Sequence, residues 1–222
     1  AGSDSLTFGN FINAATLANI ETIQGGAGND SITLASHLSA GMKLDMGGGN
    51  NVLSLAGGGN AATVSNVGTL IGGSGNDSIT LGTVVAKASI DLGAGSDSVI
   101  FASGANKATV ANAETVIGGA GADMLGLATA LTTAMQVDLG GGANRLTLAG
   151  SGNSGSVGNV ATLVGGSGDD RITLNTLVAG GSIDLGVGND ALTLANAANV
   201  VTVANVKTII GGAGSDRISL AA

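Results

Sequence analysis

Apolar and polar positions alternate in short bursts along the whole chain, and the bursts return at a fixed spacing. Ser31-Ile32-Thr33-Leu34 comes back as Ser78-Ile79-Thr80-Leu81 and as Arg171-Ile172-Thr173-Leu174. Each burst follows an acidic or amide residue: Asp4, Asp30, Asn51, Asp77, Asp97, Asp123, Asn144, Asp170, Asp190 or Asp216. Two and four places beyond each stands a large apolar residue, from Leu6 and Phe8 to Ile218 and Leu220, usually with Thr or Ser between them. That period of two predicts a half-buried strand, and no helical period competes with it. A further apolar column (Ile23, Leu44, Leu70, Ile90, Val116, Val137, Leu163, Ile183, Ile209) predicts a second strand before each turn.

The turns carry the longer period. Gly72-Gly73-Ser74-Gly75-Asn76-Asp77 recurs from Gly25, Gly118, Gly165 and Gly211, at intervals of 46 or 47 residues. A sister turn lies between successive copies, opening at Asp45, Asp91, Asp138 or Asp184. Residues 25–117 resemble 118–210, and Asn51 and Asn144 are 93 apart, as duplication of a larger block would leave them. Fixed periods of this kind mark a solenoid, in which each coil touches only its neighbours. The expectation is a single all-β array over residues 1–222, excerpted from a longer protein. It is a parallel β-roll or β-solenoid of about ten coils stacked ~4.8 Å apart, roughly 50 Å long. Each coil takes 20–26 residues, with the glycine turns along one edge and looser turns such as Gly82–Ser89 and Ser103–Lys107 on the other. The rival is a 46-residue coil with glycine turns on both edges, in which Asn19, Asn66, Asn112, Asn159 and Asn205 would stack.

Composition narrows the chemistry. There are 41 glycines and no proline, which suits many tight turns and excludes a collagen-like or proline-rich chain. Only Phe8, Phe11 and Phe101 are aromatic, so the core is thin and aliphatic. The net charge of −8 comes from aspartates in or beside the turns, which argues against nucleic acid and for a cation. No cysteine is present, and the one histidine, His37, lies in a loose turn; this leaves hard oxygen ligands and so calcium rather than a transition metal. Carboxylates stacked ~4.8 Å apart repel by about 1 kcal/mol per pair even in water. A Ca²⁺ between successive turns would remove that repulsion. The expectation is several ions, up to nine in a row. No run approaches the ~18 apolar residues that span a bilayer.

The turn Gly72-Gly73-Ser74-Gly75-Asn76-Asp77-Ser78-Ile79-Thr80 resembles the nonapeptide G-G-x-G-x-D-x-U-x of the RTX (haemolysin-type calcium-binding) family. The resemblance implies a parallel β-roll, calcium held between turns of adjacent coils, and type I secretion with folding outside the cell. Carried over, the ligands would be Asp30, Asp77, Asp123, Asp170 and Asp216. Carbonyls from Gly25–Gly28 and their equivalents would complete the shell: Gly26, Gly28, Gly73, Gly75, Gly119, Gly121, Gly166, Gly168, Gly212 and Gly214. Asp4, Asp97 and Asp190 in sister turns join the candidate set, and so do Asn51 and Asn144, as weak or empty positions. The sister turns depart from the nonapeptide, with Met46, Leu92, Leu139 or Leu185 in place of the first glycine, a choice read as packing. RTX toxins and proteases run their nonapeptides in tandem as 18-residue coils. The wider spacing and low aromatic content here look more like RTX regions of surface-layer proteins and large adhesins.

The functional expectation is therefore non-enzymatic: a calcium-rigidified structural segment of an extracellular bacterial surface protein that self-associates into a lattice or fibre, with cell-surface polysaccharide as a further contact. The alternative is the C-terminal secretion and folding module of an RTX protease or toxin. An ice-binding face built on the Thr columns ranks lower, since the third turn position is Ala27, Ser74, Ala120, Ser167 or Ala213 rather than Thr. An enzyme is weakest, because no carboxylate pair stands apart from the ladder. Arg145, Arg171 and Arg217 read as solvated neighbours of the turns. The Asp45, Asp91, Asp138 and Asp184 set reads as either extra ligands or edge charges.

Overall fold

The structure, a computed structural model, describes residues 2–221. The chain forms two compact units, Ala1–Ala113 and Glu114–Ala222. Every strand of each unit lies in one of two all-parallel sheets.

In the first unit one sheet holds, in spatial order, β1 (Ser5–Thr7), β3 (Thr22–Gln24), β5 (Met42–Asp45), β7 (Ala61–Ser65), β9 (Ser78–Leu81) and β11 (Ser98–Ile100). The other holds β2 (Ala14–Leu17), β4 (Ser31–Leu34), β6 (Val52–Ser54), β8 (Thr69–Ser74), β10 (Ala88–Ala94) and β12 (Lys107–Ala111). The second unit repeats the arrangement. Its odd sheet holds β13 (Thr115–Ile117), β15 (Gln136–Asp138), β17 (Ser154–Gly158), β19 (Arg171–Leu174), β21 (Ala191–Thr193) and β23 (Thr208–Ile210). Its even sheet holds β14 (Met124–Leu127), β16 (Arg145–Thr147), β18 (Thr162–Ser167), β20 (Ala179–Val187), β22 (Val200–Ala204) and β24 (Arg217–Leu220). Strands alternate between sheets without exception, so each unit is a parallel β-solenoid. No helix among the described residues is long and apolar enough to cross a membrane.

The strand residues chosen by the apolar alternation face inward, except in β24, where Ile218 and Leu220 are exposed. Ile32, Leu34, Leu53, Ile79, Leu81 and Val99 are buried in the first unit, as are Leu125, Leu146, Leu163, Ile172, Ile183 and Leu192 in the second. Each such side chain contributes about 1.5–3 kcal/mol of burial. A solenoid sums these terms locally, coil against coil. Phe101 is the buried aromatic, while Phe11 is 79% exposed on a turn. Serine, threonine and arginine alternate outward, with Arg145, Arg171 and Arg217 exposed on the outer faces.

Coil length differs from the expectation. Register pairs Thr22 with Lys43, Lys43 with Thr63, Thr63 with Thr80 and Thr80 with Ile100, giving steps of 21, 20, 17 and 20 residues. The coils, about ten as expected, are thus shorter than the expected 20–26 residues. Five strands, β4 to β8, fill one 46–47-residue repeat. One repeat therefore makes two and a half coils, which rules out both the two-coil and the one-coil reading. The extra strand in each repeat arises where the strand before the main turn breaks at a left-handed asparagine, as Asn112 divides 107–111 from 115–117.

The half coil also overturns the single glycine edge. In the first unit the turns at 25–30 and 46–51 connect odd strands to even ones, whereas those ending at Asp77 and Asp97 connect even strands to odd ones. Each main turn therefore shares an edge with the sister turn that follows it, and successive pairs fall on opposite edges. The loops 82–87 and 101–106 share the edge of Asp30, not the opposite one.

First-position glycines are dictated by this stacking. A Cβ on Gly25, Gly72 or Gly165 would run into the backbone carbonyl of Met46, Leu92 or Leu185 in the next coil. The sister-turn residue itself points inward, with Met46, Leu92, Leu139 and Leu185 fully buried. The packing explanation for those departures from the nonapeptide holds.

Candidate functional site

Apart from Asp4 and Asp216, the asparagines and aspartates predicted to form one ladder are buried, but they stack in short groups rather than in a row. In the first unit one edge carries Asn13, Asp30 and Asn51 on consecutive coils, and the other carries Asn60, Asp77 and Asp97. In the second unit Asp123 and Asn144 share an edge, Asn153, Asp170 and Asp190 occupy the other, and Asn199 and Asp216 follow on the first. A corner and a loop then interrupt the column. The expected row of nine ions has no continuous column to occupy.

One bond pattern links each group. The backbone N–H of one member donates to the side-chain Oδ1 of the next: Asp30 to Asn51 at 2.8 Å, Asp77 to Asp97 at 2.7 Å, Asp170 to Asp190 at 2.8 Å. In the groups of Asp30, Asp77, Asp170 and Asp216 the first member is an asparagine. Asn153 donates its N–H and its Nδ2 to Asp170 Oδ1 at 2.7 and 2.9 Å, and gives Nδ2 also to the carbonyls of Ala149 and Ser151. Asn60, Asn13 and Asn199 do the same in their turns. Sequence reading missed Asn13, Asn60, Asn106, Asn153 and Asn199, although they keep the 46–47-residue period. The signal was there, but their turns share no motif, from Gly57-Gly58-Gly59 before Asn60 to Asn196-Ala197-Ala198 before Asn199.

Asp4, the remaining candidate, is exposed: its N–H donates to Glu21 Oε2 at 2.8 Å, and its carbonyl accepts from Glu21 and Thr22. Asp216 is half-buried, and its bonds with Asn199 hold its carboxyl below the usual carboxylate range. The others are deeply buried, with Asp30, Asp77, Asp97, Asp123, Asp170 and Asp190 at 1% exposure or less.

The carbonyls expected as ligands are partly engaged from coil to coil. Gly26 O accepts from Gly48 N at 2.7 Å and Gly119 O from Gly141 N at 3.1 Å. Gly73 pairs in register with Gly93, and Gly166 with Gly186. Gly75 donates to Ala94 O, Gly121 to Gly141 O and Gly168 to Val187 O. Gly75 and Gly168 adopt φ of +96° and +98°, and Gly121 and Gly214 +138°, as the tight turn requires. The carbonyls of Gly28, Gly75 and Gly168 face the next coil's turn at Gly49, Gly95 and Gly188, and a Cβ on Gly212 would strike Ala195 O.

The Asp45 set resolves into a structural device. Asp45 Oδ1 accepts from Gly47 N at 2.9 Å and from Asn66 Nδ2 at 2.6 Å. Asp91, Asp138 and Asp184 hold Asn112, Asn159 and Asn205 likewise. Those asparagines take left-handed corners with φ between 52° and 58°, a conformation asparagine tolerates better than most residues. They cap corners singly and do not stack. The Asn66 and Gly47 donors hold the Asp45 carboxyl below the usual carboxylate range.

Among the described residues no three His, Asp or Glu side chains gather around one point. A cation here would rely on one or two carboxylates and on backbone carbonyls. The candidate oxygens are Oδ2 of Asp30, Asp77, Asp170 and Asp190, each buried with no hydrogen-bond partner. A buried carboxylate oxygen without a donor or counter-charge costs several kcal/mol. The sister turn at Asn51 shows what such a position can hold. Its Nδ2 lies 2.9 Å from Met46 O, 3.4 Å from Gly47 O, 3.2 Å from Gly48 O and 3.0 Å from Asn66 O. A cleft of about 430 Å³ lined by Gly47, Gly48 and Asn66 opens beside this cradle. The donor set is hard oxygen throughout, which fits calcium and not a transition metal. No protein family, no curated protein and no solved structure matches the chain.

Proposed function

We propose that the chain is a calcium-binding structural β-solenoid, a rigid segment of an extracellular bacterial surface protein in which the ion stabilises the turns. The observation that carries this reading is the set of buried, donorless carboxylate oxygens at Asp30, Asp77, Asp170 and Asp190. The two adjacent pairs weigh most. Asp77 and Asp97, and Asp170 and Asp190, stack on successive coils, where a divalent cation would offset both the desolvation and the mutual repulsion. The glycine-turn nonapeptide supports the same ion and the extracellular setting, by resemblance. Self-association into a lattice or fibre belongs to this reading. So does contact with cell-surface polysaccharide.

Thermal unfolding followed by circular dichroism, with millimolar Ca²⁺ and then with excess chelator, tests it. Calcium is expected to raise the midpoint and to bind in a countable stoichiometry by calorimetry. A chain with the same midpoint in both conditions and no heat of binding defeats the reading.

A further inference from the structure

We propose that the sister turn exists in two interchangeable forms: Asn144 closes it with its own amide, and Asp190 leaves the same place for a cation. This rests on the calcium reading above and names one of its sites.

The two turns share their frame within the second unit. Gly140 N donates to Asp138 Oδ1 and Gly186 N to Asp184 Oδ1, at 3.0 and 3.1 Å. Asn159 and Asn205 occupy the same left-handed corner and donate to those aspartates. The backbone N–H of Ala161 reaches Asn144 O, and that of Lys207 reaches Asp190 O, both at 2.9 Å. Asn144 Oδ1 accepts from Asp123 N, and Asp190 Oδ1 accepts from Asp170 N, both at 2.8 Å. With Oδ1 fixed alike, the second side-chain atom of each residue is directed to the same place.

At Asn144 that atom is Nδ2, and it donates towards four carbonyls: Leu139 at 3.2 Å, Gly140 at 3.2 Å, Gly141 at 3.4 Å and Asn159 at 2.9 Å. The corresponding carbonyls at Asp190 belong to Leu185, Gly186, Val187 and Asn205. The side-chain atom there is Oδ2, an acceptor among acceptors, buried and with no donor. An amide N–H₂ carries partial positive charge to these oxygens, and a cation is what performs that role for a carboxylate. The neighbouring residue agrees: Asp190 stacks on Asp170, whose own Oδ2 is also buried without a donor. The site takes a hard divalent cation of calcium's size, with Asp190 Oδ2 and Asp170 Oδ2 as the charged ligands and turn carbonyls as the rest.

The test uses the full chain and two reciprocal variants, read by calorimetric Ca²⁺ titration and by melting in chelator. Asp190→Asn is expected to bind one ion fewer than the parent and to melt higher in chelator, since its amide fills the cradle. Asn144→Asp is expected to melt lower in chelator and to recover on adding Ca²⁺, with one more ion bound. An Asp190→Asn protein with unchanged stoichiometry overturns the proposal while leaving the calcium reading standing. A parent chain that binds no Ca²⁺ overturns both. Should Asn144→Asp fail to fold, Asp190→Asn decides alone.

Discussion

The group Asn13–Asp30–Asn51 in the first unit and the group Asn153–Asp170–Asp190 in the second share a bond pattern and differ in one atom. Each is opened by an asparagine whose amide ties its own turn and the aspartate above it. Each continues by a backbone N–H donated to the third member. The third member is an amide in one and a carboxylate in the other. The amide group carries a single buried charge with a neutral neighbour. The carboxylate group carries two, in an interior that punishes unpaired charge. The lesson is that a solenoid of near-identical coils can be stapled internally at one place and left dependent on its medium at the next.

The comparison breaks most readily at the staple. Asn144→Leu removes the donor shared by four carbonyls, of which Gly141 O keeps the Gly121 N–H, and is expected to cost about 3 kcal/mol, since each buried group left unsatisfied costs about 1–3 kcal/mol. Asp190→Leu in chelator is expected to cost less, because an apolar residue replaces an unpaired buried charge. Chemical denaturation of both in chelator checks the order, and equal losses would mean that the two turns are equivalent.

Next in size come the backbone positions common to both kinds of group. Gly168→Ala places a Cβ against Gly152 at a φ of +98° and is expected to cost about 2 kcal/mol, with or without calcium. Limited proteolysis near the turn, compared with the parent, reports it. A corner substitution should cost somewhat less: Asn159→Ala loses the bond to Asp138 and keeps a left-handed residue without its tolerance, about 1–2 kcal/mol. The same change at Asn66 should match it, because the corners, unlike the third members, are alike.

The smallest effect concerns pH. The Asp45 carboxyl sits below its unfolded value through the donors on Asn66 and Gly47. Its contribution is therefore complete above the unfolded pKa of about 3.9 and is lost as pH falls through the depressed folded value. Asp45→Asn should flatten the acid limb of a stability–pH curve slightly and leave neutral stability nearly unchanged.

Much of this architecture was legible in the chain. The inward residues followed from alternation alone, and the parallel solenoid followed from the fixed spacing. Coil length did not, for a physical reason. A period in sequence counts genetic units, whereas a coil closes when the backbone returns over itself, and here the two differ by half a coil. Asn60 and Asn153 could have exposed the discrepancy, since they hold the same period and precede an apolar alternation of their own, Ala62 and Val64 in one case and Gly155 and Val157 in the other. Their turns vary too much to align by eye. The Asp45 set could not be assigned from sequence, because its partner Asn66 lies 21 residues away and its role depends on stacking. A correlate of the two sister forms was visible without interpretation: Ser74 and Ser167 precede the pairs ending in Asp97 and Asp190, and Ala27 and Ala120 those ending in Asn51 and Asn144.

The half-integral repeat has a consequence for how such an array can change length. Adding or deleting one 46–47-residue unit would send every later strand into the opposite sheet, exchanging what faces left with what faces right. Only even numbers of units preserve the phase, and among edits made in whole units a 93-residue duplication is the shortest that leaves the downstream surface in place.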